Sequence, residues 1–310
     1  MSTLKDVAQA AGVSESTASR ALNGNSRISR KTRELVKKYA DELNYYPDFA
    51  AKNLSRGSSQ IIGVIFPLTF KMNKSGDTFQ LEILRGINEA LDSSDYKIML
   101  IMGRNEHTFL EQVQSMVEEV KVKKFILLYS AKDDPVIGYL TKKKIDYIII
   151  GHPFHHERFV DNNNYEVGQA ATRLLLTNPE VKRPTFIRST QSRPFEDDRE
   201  AGYRHVMRQK DLQPHVLIID EQAKINNYLP KLNGIIFSDD RIFLYYAREV
   251  LKYNLPIICF NDSELVKLIF EREKIIDLQP RLLGEKAVEL LFNQGVEHYF
   301  VPYRVEKSKY

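Results

Sequence analysis

An alternation of apolar runs with amphipathic stretches, from residue 60 to the C-terminus, most constrains the fold of this chain. Apolar runs rich in β-branched residues predict eight strands: Ile61–Pro67, Ile98–Met102, Phe125–Tyr129, Tyr147–Gly151, Thr185–Arg188, Val216–Ile219, Gly234–Ser238 and Ile257–Phe260. Apolar residues three or four positions apart predict six helices between them: Phe79–Leu91, Phe109–Val120, Val167–Leu176, Arg199–Met207, Ile242–Leu251 and Leu283–Phe292. Strands that alternate with helices indicate an α/β body with parallel sheets.

Two sets of about four strands predict two lobes within residues 60–310. We place the first lobe at about 60–159 together with the C-terminal segment, and the second lobe at about 160–280. In open parallel sheets, ligands bind beyond the carboxyl ends of the strands. The body is therefore predicted to hold a ligand in a cleft between the lobes.

Positive charge is concentrated at the N-terminus. The chain has a formal net charge of +4, and the whole excess lies in residues 1–58, because acids and bases are equal in number in the remainder. A compact basic segment attached to a neutral body is what binding to a phosphate backbone requires. Charge alone also fits a solvated basic helix face.

Residues 1–47 predict an all-α helix-turn-helix headpiece. Thr3 and Asp6 form a capping box, Gly12 ends the first helix, and Ser14 and Ser29 cap the two helices that follow. The predicted inner face of the third helix comprises Thr32, Leu35, Val36, Tyr39, Ala40 and Leu43. The second helix is polar, with short side chains near its N-terminus, which suits insertion into a major groove. An ordinary small helical bundle is the structural alternative.

The segments LKDVAQAAGVSESTASRALNGN and ISRKTRELVKKYADELNYYPD closely resemble the DNA-binding headpiece of the LacI/GalR family. Its members are dimeric transcription regulators that bind pseudo-palindromic operators. The resemblance implies base contacts for Glu15, Ser16 and Arg20. It implies phosphate contacts or packing near the DNA backbone for Ser14, Thr17, Ser19, Asn23, Ser29, Thr32 and Tyr45. An acid at Glu15 suits a phosphate-rich groove only if it accepts from the amino group of a cytosine.

Residues 48–59 are predicted to be a hinge helix and linker. A helix this short does not persist alone in water, so it orders only when something packs on it. In the LacI/GalR family, two such hinges of a dimer push a leucine into the minor groove and kink the DNA. The resemblance assigns that role to Leu54 and a DNA contact to Lys52, where the family usually has arginine. Packing within the linker is the alternative for Leu54.

The body resembles the periplasmic-binding-protein-like effector domain of the same family. The segments FVDNNN and CFND are most similar to those of maltose-operon repressors of Gram-positive bacteria. The resemblance implies effector contacts for Phe79, Arg199, Asp239 and Asn261. A helix-start ion pair is the alternative for Arg199, a helix N-cap for Asp239 and a core position for Phe79. Asn261 stands where the family usually has aspartate, and the apolar Leu278 stands where many relatives have a polar contact.

The first hypothesis is therefore a dimeric repressor on a pseudo-palindromic operator, controlled by a small sugar, with a maltose-type oligosaccharide as inducer. A second hypothesis replaces the sugar with a phosphorylated phosphotransferase carrier protein, for which Lys121, Lys123 and Lys124 provide a thin basic patch. A remote third hypothesis is a solute-binding receptor or an enzyme on the same two-lobed fold. No nucleophile or acid–base pair with defensible geometry supports an enzyme.

Other features exclude further classes of protein. No run of apolar residues reaches the length of a membrane helix, and no signal peptide is visible, so a cytoplasmic protein without membrane contact is predicted. No dinucleotide or P-loop motif indicates a cofactor. His152, His155 and His156 lie close in sequence, but with no nearby thiols we predict no metal. The single cysteine, Cys259, is predicted to lie in the core.

Overall fold

The chain divides into two units, Met1–Ser59 and Gln60–Tyr310. The computed structural model describes residues 2–45, 59–68, 78–103, 105–129, 131–191, 193–220, 223–261, 266 and 275–306. In these ranges no helix is both long and apolar enough to pass through a bilayer.

Three helices form the N-terminal unit: α1 (Leu4–Ala10), α2 (Glu15–Leu22) and α3 (Arg30–Glu42). Each begins at a hydroxyl side chain that accepts a hydrogen bond from the first turn, namely Thr3, Ser14 or Ser29. Such caps satisfy main-chain N–H groups that have no partner within the helix. The predicted capping box is confirmed, because Asp6 also accepts from the main-chain nitrogen of Thr3 at 2.8 Å. Gly12 has a φ of +65°, as its predicted role at the end of α1 requires.

Small side chains fill the core of this unit. Val7, Ala18 and Val36 are fully buried, with Tyr39 and Leu43 packed at the edge of the cluster. Alanine at the contacts allows the three helices to approach closely. The prediction that Leu35 lies on the inner face is wrong: it is 39% exposed, because the contact face of α3 is narrower than the apolar stripe.

The first lobe is built on a six-stranded sheet in the order β11-β5-β4-β3-β1-β2. Its strands are β1 (Ile61–Ile65), β2 (Lys97–Ile101), β3 (Lys124–Leu127), β4 (Asp146–Ile150), β5 (Phe159–Asp161) and β11 (His298–Phe300). Its helices are α4 (Thr78–Leu91), α5 (Glu106–Glu118), α6 (Pro135–Lys142) and α10 (Pro280–Phe292). All pairs in this sheet are parallel, and β1 is buried along its length.

The second lobe holds another six-stranded sheet, in the order β12-β10-β9-β8-β6-β7. Its strands are β6 (Thr185–Ser189), β7 (His215–Ile219), β8 (Ile235–Phe237), β9 (Ile257–Phe260), β10 (Ile275–Asp277) and β12 (Arg304–Glu306). Its helices are α7 (Asn164–Leu175), α8 (Pro194–Gln209) and α9 (Asp240–Val250). The sheet is parallel except where β12 pairs antiparallel with β10. Cys259 is buried in β9, as predicted.

The described chain passes between the lobes three times, at residues 162–163, 278–279 and 301–303. The amide of Asn162, in the first crossing, donates to the carbonyl oxygens of Leu278 at 3.1 Å and Val301 at 2.9 Å. Gln279, in the second crossing, donates to the carbonyl oxygen of Pro302 in the third. Side-chain amides therefore hold the three crossings together at one place.

Each lobe contains one pair of closely packed helices that meet at glycines. In the first lobe, a Cβ on Gly86 of α4 would lie 1.9 Å from the carbonyl oxygen of Arg281 at the start of α10. In the second, a Cβ on Gly168 of α7 would lie 2.1 Å from the carbonyl oxygen of Arg199 in α8. Only a residue without a side chain permits this approach of two backbones.

The structure corrects several predicted elements. Asp161 to Asn164 is not a turn: Asp161 ends β5 and Asn164 begins α7. Helix α6 and the strands β5, β10, β11 and β12 were not predicted, so each sheet has six strands rather than about four. The C-terminal segment does not all join the first lobe, because β11 enters the first sheet and β12 the second.

Candidate DNA-reading helix and effector cleft

Helix α2 presents the polar side chains that were predicted to read bases. Glu15, Ser16 and Arg20 are exposed on its surface, while Ala18 and Ala21 on the opposite face are buried against the other two helices. The Ser14 hydroxyl accepts from the main-chain nitrogen of Thr17 at 3.2 Å, which fixes where the helix starts. Packing and capping thus leave the polar face of α2 free for a groove.

The residues predicted to lie near phosphates surround this helix. Ser29 caps α3, with its hydroxyl 2.8 Å from that of Thr32. Asn23 ends α2, and its side-chain amide donates to the carbonyl oxygen of Ser19 at 2.9 Å. Tyr45 packs against the headpiece core. The hinge candidates Lys52 and Leu54 lie outside the described residues.

The basic segment of the headpiece keeps most of its charge at the surface. Arg30 pairs with Glu34 at 2.8 Å and Lys38 with Glu42 at 3.7 Å, both along exposed turns of α3. Exposed pairs of this kind contribute little to stability and exchange readily for other anions. The headpiece therefore offers a cationic surface beside its polar helix.

In the body, a cleft of about 630 Å³ lies between the carboxyl ends of the two sheets. The four predicted effector residues, Phe79, Arg199, Asp239 and Asn261, all line it. Leu278 lines it as well. The topology accounts for this convergence, since each residue follows a parallel strand or faces a strand end.

The wall of the cleft from the first lobe is mainly apolar. It is formed by side chains that include Phe79, Leu128, Tyr129, Ile150 and Phe154. Phe79 contacts the apolar cores of both lobes, so it lies where they meet. Aromatic and aliphatic surface of this kind covers the non-polar face of a bound ligand.

Asp161 adds a carboxyl group at the end of β5. It accepts from the main-chain nitrogen of Asn162 at 2.8 Å and from the amide of Asn164 at 3.1 Å. Burial raises the pKa of Asp161 to about 7, although these hydrogen bonds and the charge of Arg199 act in the opposite direction.

Arg199, on α8, is a buried cation in the wall from the second lobe. Its guanidinium donates to Asn164 Oδ1 at 2.9 Å and to the carbonyl oxygen of Ser238 at 2.6 Å. The rings of Phe195 and Phe260 cover the guanidinium, with centroids 4.8 and 4.4 Å from its carbon. Burial lowers the pKa of Arg199, and the charges of nearby aspartates, Asp239 first among them, oppose that change. Flanking rings and fixed acceptors hold this cation in one position.

Asp239 is the N-cap of α9 and also the centre of an ion-pair group. It accepts from the main-chain nitrogen of Arg241 at 2.9 Å, and its carboxylate binds the guanidinium of Arg193 at 3.0 Å and that of Arg241 at 2.5 Å. Burial acts to raise the pKa of Asp239, but the Arg241 and Arg193 guanidinium groups hold it below its usual range. The capping alternative weighed for Asp239 is thus observed, and its role as an effector contact stays a prediction.

Several cleft residues were not predicted from the sequence. They are Asp161, Asn164, Arg193, Asp240 and Arg241. The signal for the first two was FVDNNN, whose polar residues directly follow an apolar pair, as expected at the carboxyl end of a strand. Arg193 lies far in sequence from Asp239, and no local pattern links them.

The basic patch considered for a carrier protein is largely occupied. Lys124 Nζ donates to Asp146 at 2.9 Å and to the carbonyl oxygen of Leu291 at 3.3 Å. Lys121 donates to the main chain of Glu118. The carrier hypothesis finds no support in these contacts.

The histidine cluster does not assemble a common site. His152 Nδ1 lies 3.3 Å from Asp198, and His155 Nε2 lies 3.9 Å from Asp133. Among the described residues, no group of three histidine, cysteine or acidic side chains is placed to hold a metal ion.

A helix-turn-helix headpiece followed by a two-lobed body with a ligand cleft defines a class of DNA-binding transcription regulators. The family described as "Bacterial regulatory proteins, lacI family" matches residues 3–48. The HTH-type transcriptional regulator MalR of Staphylococcus xylosus is 33% identical over 313 residues, covering 94% of this chain and 91% of that protein. The chain belongs to the LacI family and is a transcriptional repressor, which confirms the predicted family and excludes the enzyme hypothesis.

Solved structures share the fold over nearly the whole chain. A Lac repressor dimer bound to operator and to an anti-inducer matches with a TM-score of 0.80 and 20% identity, covering 99% of this chain and 98% of that one. The transcriptional regulator CelR in complex with cellobiose matches with a TM-score of 0.66 and 20% identity, covering 99% and 100%. The predicted fold class is confirmed.

Proposed function

We propose that the protein is a dimeric repressor that binds a pseudo-palindromic operator and responds to a maltose-type sugar. The observation that carries the effector half is the cleft, where an aromatic wall faces a charged and hydrogen-bonding wall across about 630 Å³. Sugars present apolar ring faces and polar hydroxyl edges, and a cleft with two unlike walls suits both. Similarity to the MalR regulator of Staphylococcus xylosus supports maltose or a maltooligosaccharide as the sugar.

In this proposal the headpiece, residues 1–47, reads the operator. Glu15, Ser16 and Arg20 contact base edges, with Arg20 on a guanine and Glu15 on a cytosine amino group. Residues around them hold the phosphates: Ser14, Thr17, Ser19, Asn23, Ser29, Thr32 and Tyr45. The hinge, residues 48–59, places Lys52 and Leu54 at the minor groove.

Dimerisation is supported by apolar side chains left at the surface of the body. Met99, Leu100 and Met102 are 37–43% exposed at the edge strand β2, and Ile218 is 60% exposed at β7, the edge of the other sheet. Exposed apolar patches mark interfaces in soluble proteins. A second copy would cover these edges and bring two headpieces to the two half-sites of an operator.

The effector acts by changing the relation between the lobes. A sugar that contacts both walls binds better to one lobe arrangement than to others and therefore shifts the population toward it. In a dimer, that shift alters the spacing of the two hinges and hence the affinity for DNA. We place this activity in the cytoplasm, where bacterial operators lie.

The test begins with selection of binding duplexes from a random pool by the purified full chain. Affinity for the selected duplex is then titrated by fluorescence anisotropy with and without maltose, maltotriose and unrelated sugars. We expect a palindromic consensus and weaker binding in the presence of maltose or maltotriose. A consensus with no response to any sugar would remove the effector half and leave the DNA half in place.

Arg20→Ala should weaken binding to the selected duplex by about 1–3 kcal/mol and relax the preference at one base pair. The control is Arg30→Ala, which removes an exposed arginine that already pairs with Glu34 on α3. It should weaken binding less and evenly across sequences. Equal affinity of wild type and Arg20→Ala would contradict the assignment of α2 to the major groove.

A further inference from the structure

The second lobe leaves two acceptor atoms unpaired at the cleft. Asp240 is 2% exposed, and its Oδ2 atom has no hydrogen-bond partner within the described part of the chain. The Oδ1 atom of Asn261 is in the same state. Both residues line the cleft. A buried polar atom without a partner costs free energy, so a site that keeps two of them is built to receive donors.

Backbone geometry brings these two atoms to the same edge. Asp240 is the first residue of α9 and closely follows β8, while Asn261 directly follows β9, the neighbouring strand. Asn261 has a φ of 67°, a left-handed conformation that asparagine tolerates better than most residues. The chain therefore turns sharply where the strand ends, next to the start of α9.

The adjacent acid, Asp239, is in the opposite state. Its carboxylate binds two guanidinium groups and the first turn of α9, so its acceptor positions are occupied. A ligand hydroxyl would have to displace Arg193 or Arg241 to reach it. Of the two consecutive acids, Asp240 has the acceptor atom available for a ligand.

We propose that Asp240 and Asn261 select the effector, by accepting hydrogen bonds from hydroxyl groups of a neutral, unphosphorylated sugar. This inference rests on the proposed sugar effector and adds which side chains discriminate and which charge the sugar carries. It moves the deciding acid from Asp239 to Asp240.

The charges of the described cleft wall favour a neutral ligand. Arg193 and Arg241 are bound to Asp239, and Arg199 is held by Asn164, Ser238 and two rings. Lys132 lies exposed at the rim. Burial, followed by the charge of Asp239, raises the pKa of Asp240 well above its usual value. A phosphate would add negative charge beside these acids, where the guanidinium groups are already paired.

The test measures sugar binding to the full chain by isothermal titration calorimetry. The panel is maltose, maltotriose, glucose 6-phosphate and trehalose 6-phosphate, followed by monodeoxy analogues of the neutral sugar that binds best. The variants are Asp240→Ala and Asn261→Gly; glycine suits the left-handed backbone at position 261. Glu249→Ala is the matched control, because Glu249 lies on the last turn of α9 and is absent from the cleft wall.

We expect Asp240→Ala and Asn261→Gly each to weaken neutral-sugar binding about 10- to 100-fold, the usual range for a lost hydrogen bond to such a group. Glu249→Ala should bind as wild type does. Because Oδ2 of Asp240 has no partner in the free protein, Asp240→Ala should keep the urea midpoint of wild type. One monodeoxy sugar should lose affinity for wild type yet bind Asp240→Ala as well as the parent sugar does, which a purely structural role would not produce.

Two results would overturn the inference alone. One is a neutral sugar that binds Asp240→Ala as tightly as wild type. The other is a wild-type preference for the phosphorylated sugars. If no neutral or phosphorylated sugar binds wild type, the proposed sugar effector fails together with the inference, so the two failures are distinguishable.

Discussion

The two lobes are packed in the same way and yet present different walls to the cleft. In each, two helices cross at glycines over a six-stranded sheet, Gly86 and Gly284 in the first lobe and Gly168 and Gly202 in the second. The first lobe presents mainly aromatic and aliphatic side chains, whereas the second presents the charged residues. The difference teaches that packing fixes where strand ends lie, while the residues just after them decide the chemistry.

Replacing the buried charge of the second wall should have the largest effect. Arg199→Met leaves Asn164 and the Ser238 carbonyl without a donor and leaves neighbouring aspartates without a counter-charge. We expect a loss of about 3–5 kcal/mol in the free energy of unfolding, measured with urea.

The counterpart on the first lobe is Lys132→Met, at the exposed rim. This variant should stay within about 0.5 kcal/mol of wild type. Similar losses for Arg199→Met and Lys132→Met would contradict the contrast between the two walls.

The helix crossings should respond alike in both lobes. Gly86→Ala and Gly168→Ala place a methyl group on a backbone oxygen and should each cost about 1–3 kcal/mol in urea unfolding. Gly138, on α6, has no atom within 4 Å of a built Cβ, so Gly138→Ala should stabilise by about 0.5–1 kcal/mol. A cost at only one of the two crossings would show that the lobes are packed differently.

The smallest effect is expected from Asp161, an acid of the first lobe. Its pKa of about 7 in the folded protein exceeds the ordinary value of about 3.9 in the unfolded chain. The folded protein therefore binds more protons between these values. Any stability that Asp161 provides is complete below about pH 4 and is lost as the pH rises through 7.

The free energy of unfolding of wild type should accordingly fall relative to that of Asp161→Asn between pH 4.5 and 8. Urea titrations of both proteins across this range measure the difference. A difference that does not change with pH would mean that Asp161 titrates normally.

Local sequence predicted most of the headpiece and the central strands. Thr3, Ser14 and Ser29 act on residues within the next turn, so their capping roles can be read without knowledge of the rest of the chain. Strands such as Ile257–Phe260 are long apolar runs and match the structure residue for residue. The four predicted effector residues lie in one cleft because parallel strands end at a common edge.

The remaining features depend on contacts between distant residues. Strands β10, β11 and β12 have three residues each, too few for a periodic pattern, and they form only because a finished sheet offers an edge. The Arg193–Asp239 pair joins residues on different elements. Helix α6 had a local signal, since Asp134 caps it and Pro135 begins it, and the sequence analysis passed over that signal.

The place of β11 and β12 in the two sheets has a consequence for synthesis on the ribosome. Both edge strands come from the last residues to be translated, so neither lobe can complete its sheet until translation is nearly finished. The headpiece, made first and closed by its own three helices, can fold long before. A nonsense mutation within the final dozen codons would therefore damage both halves of the sensor at once, while leaving a chain that still carries an intact reading head.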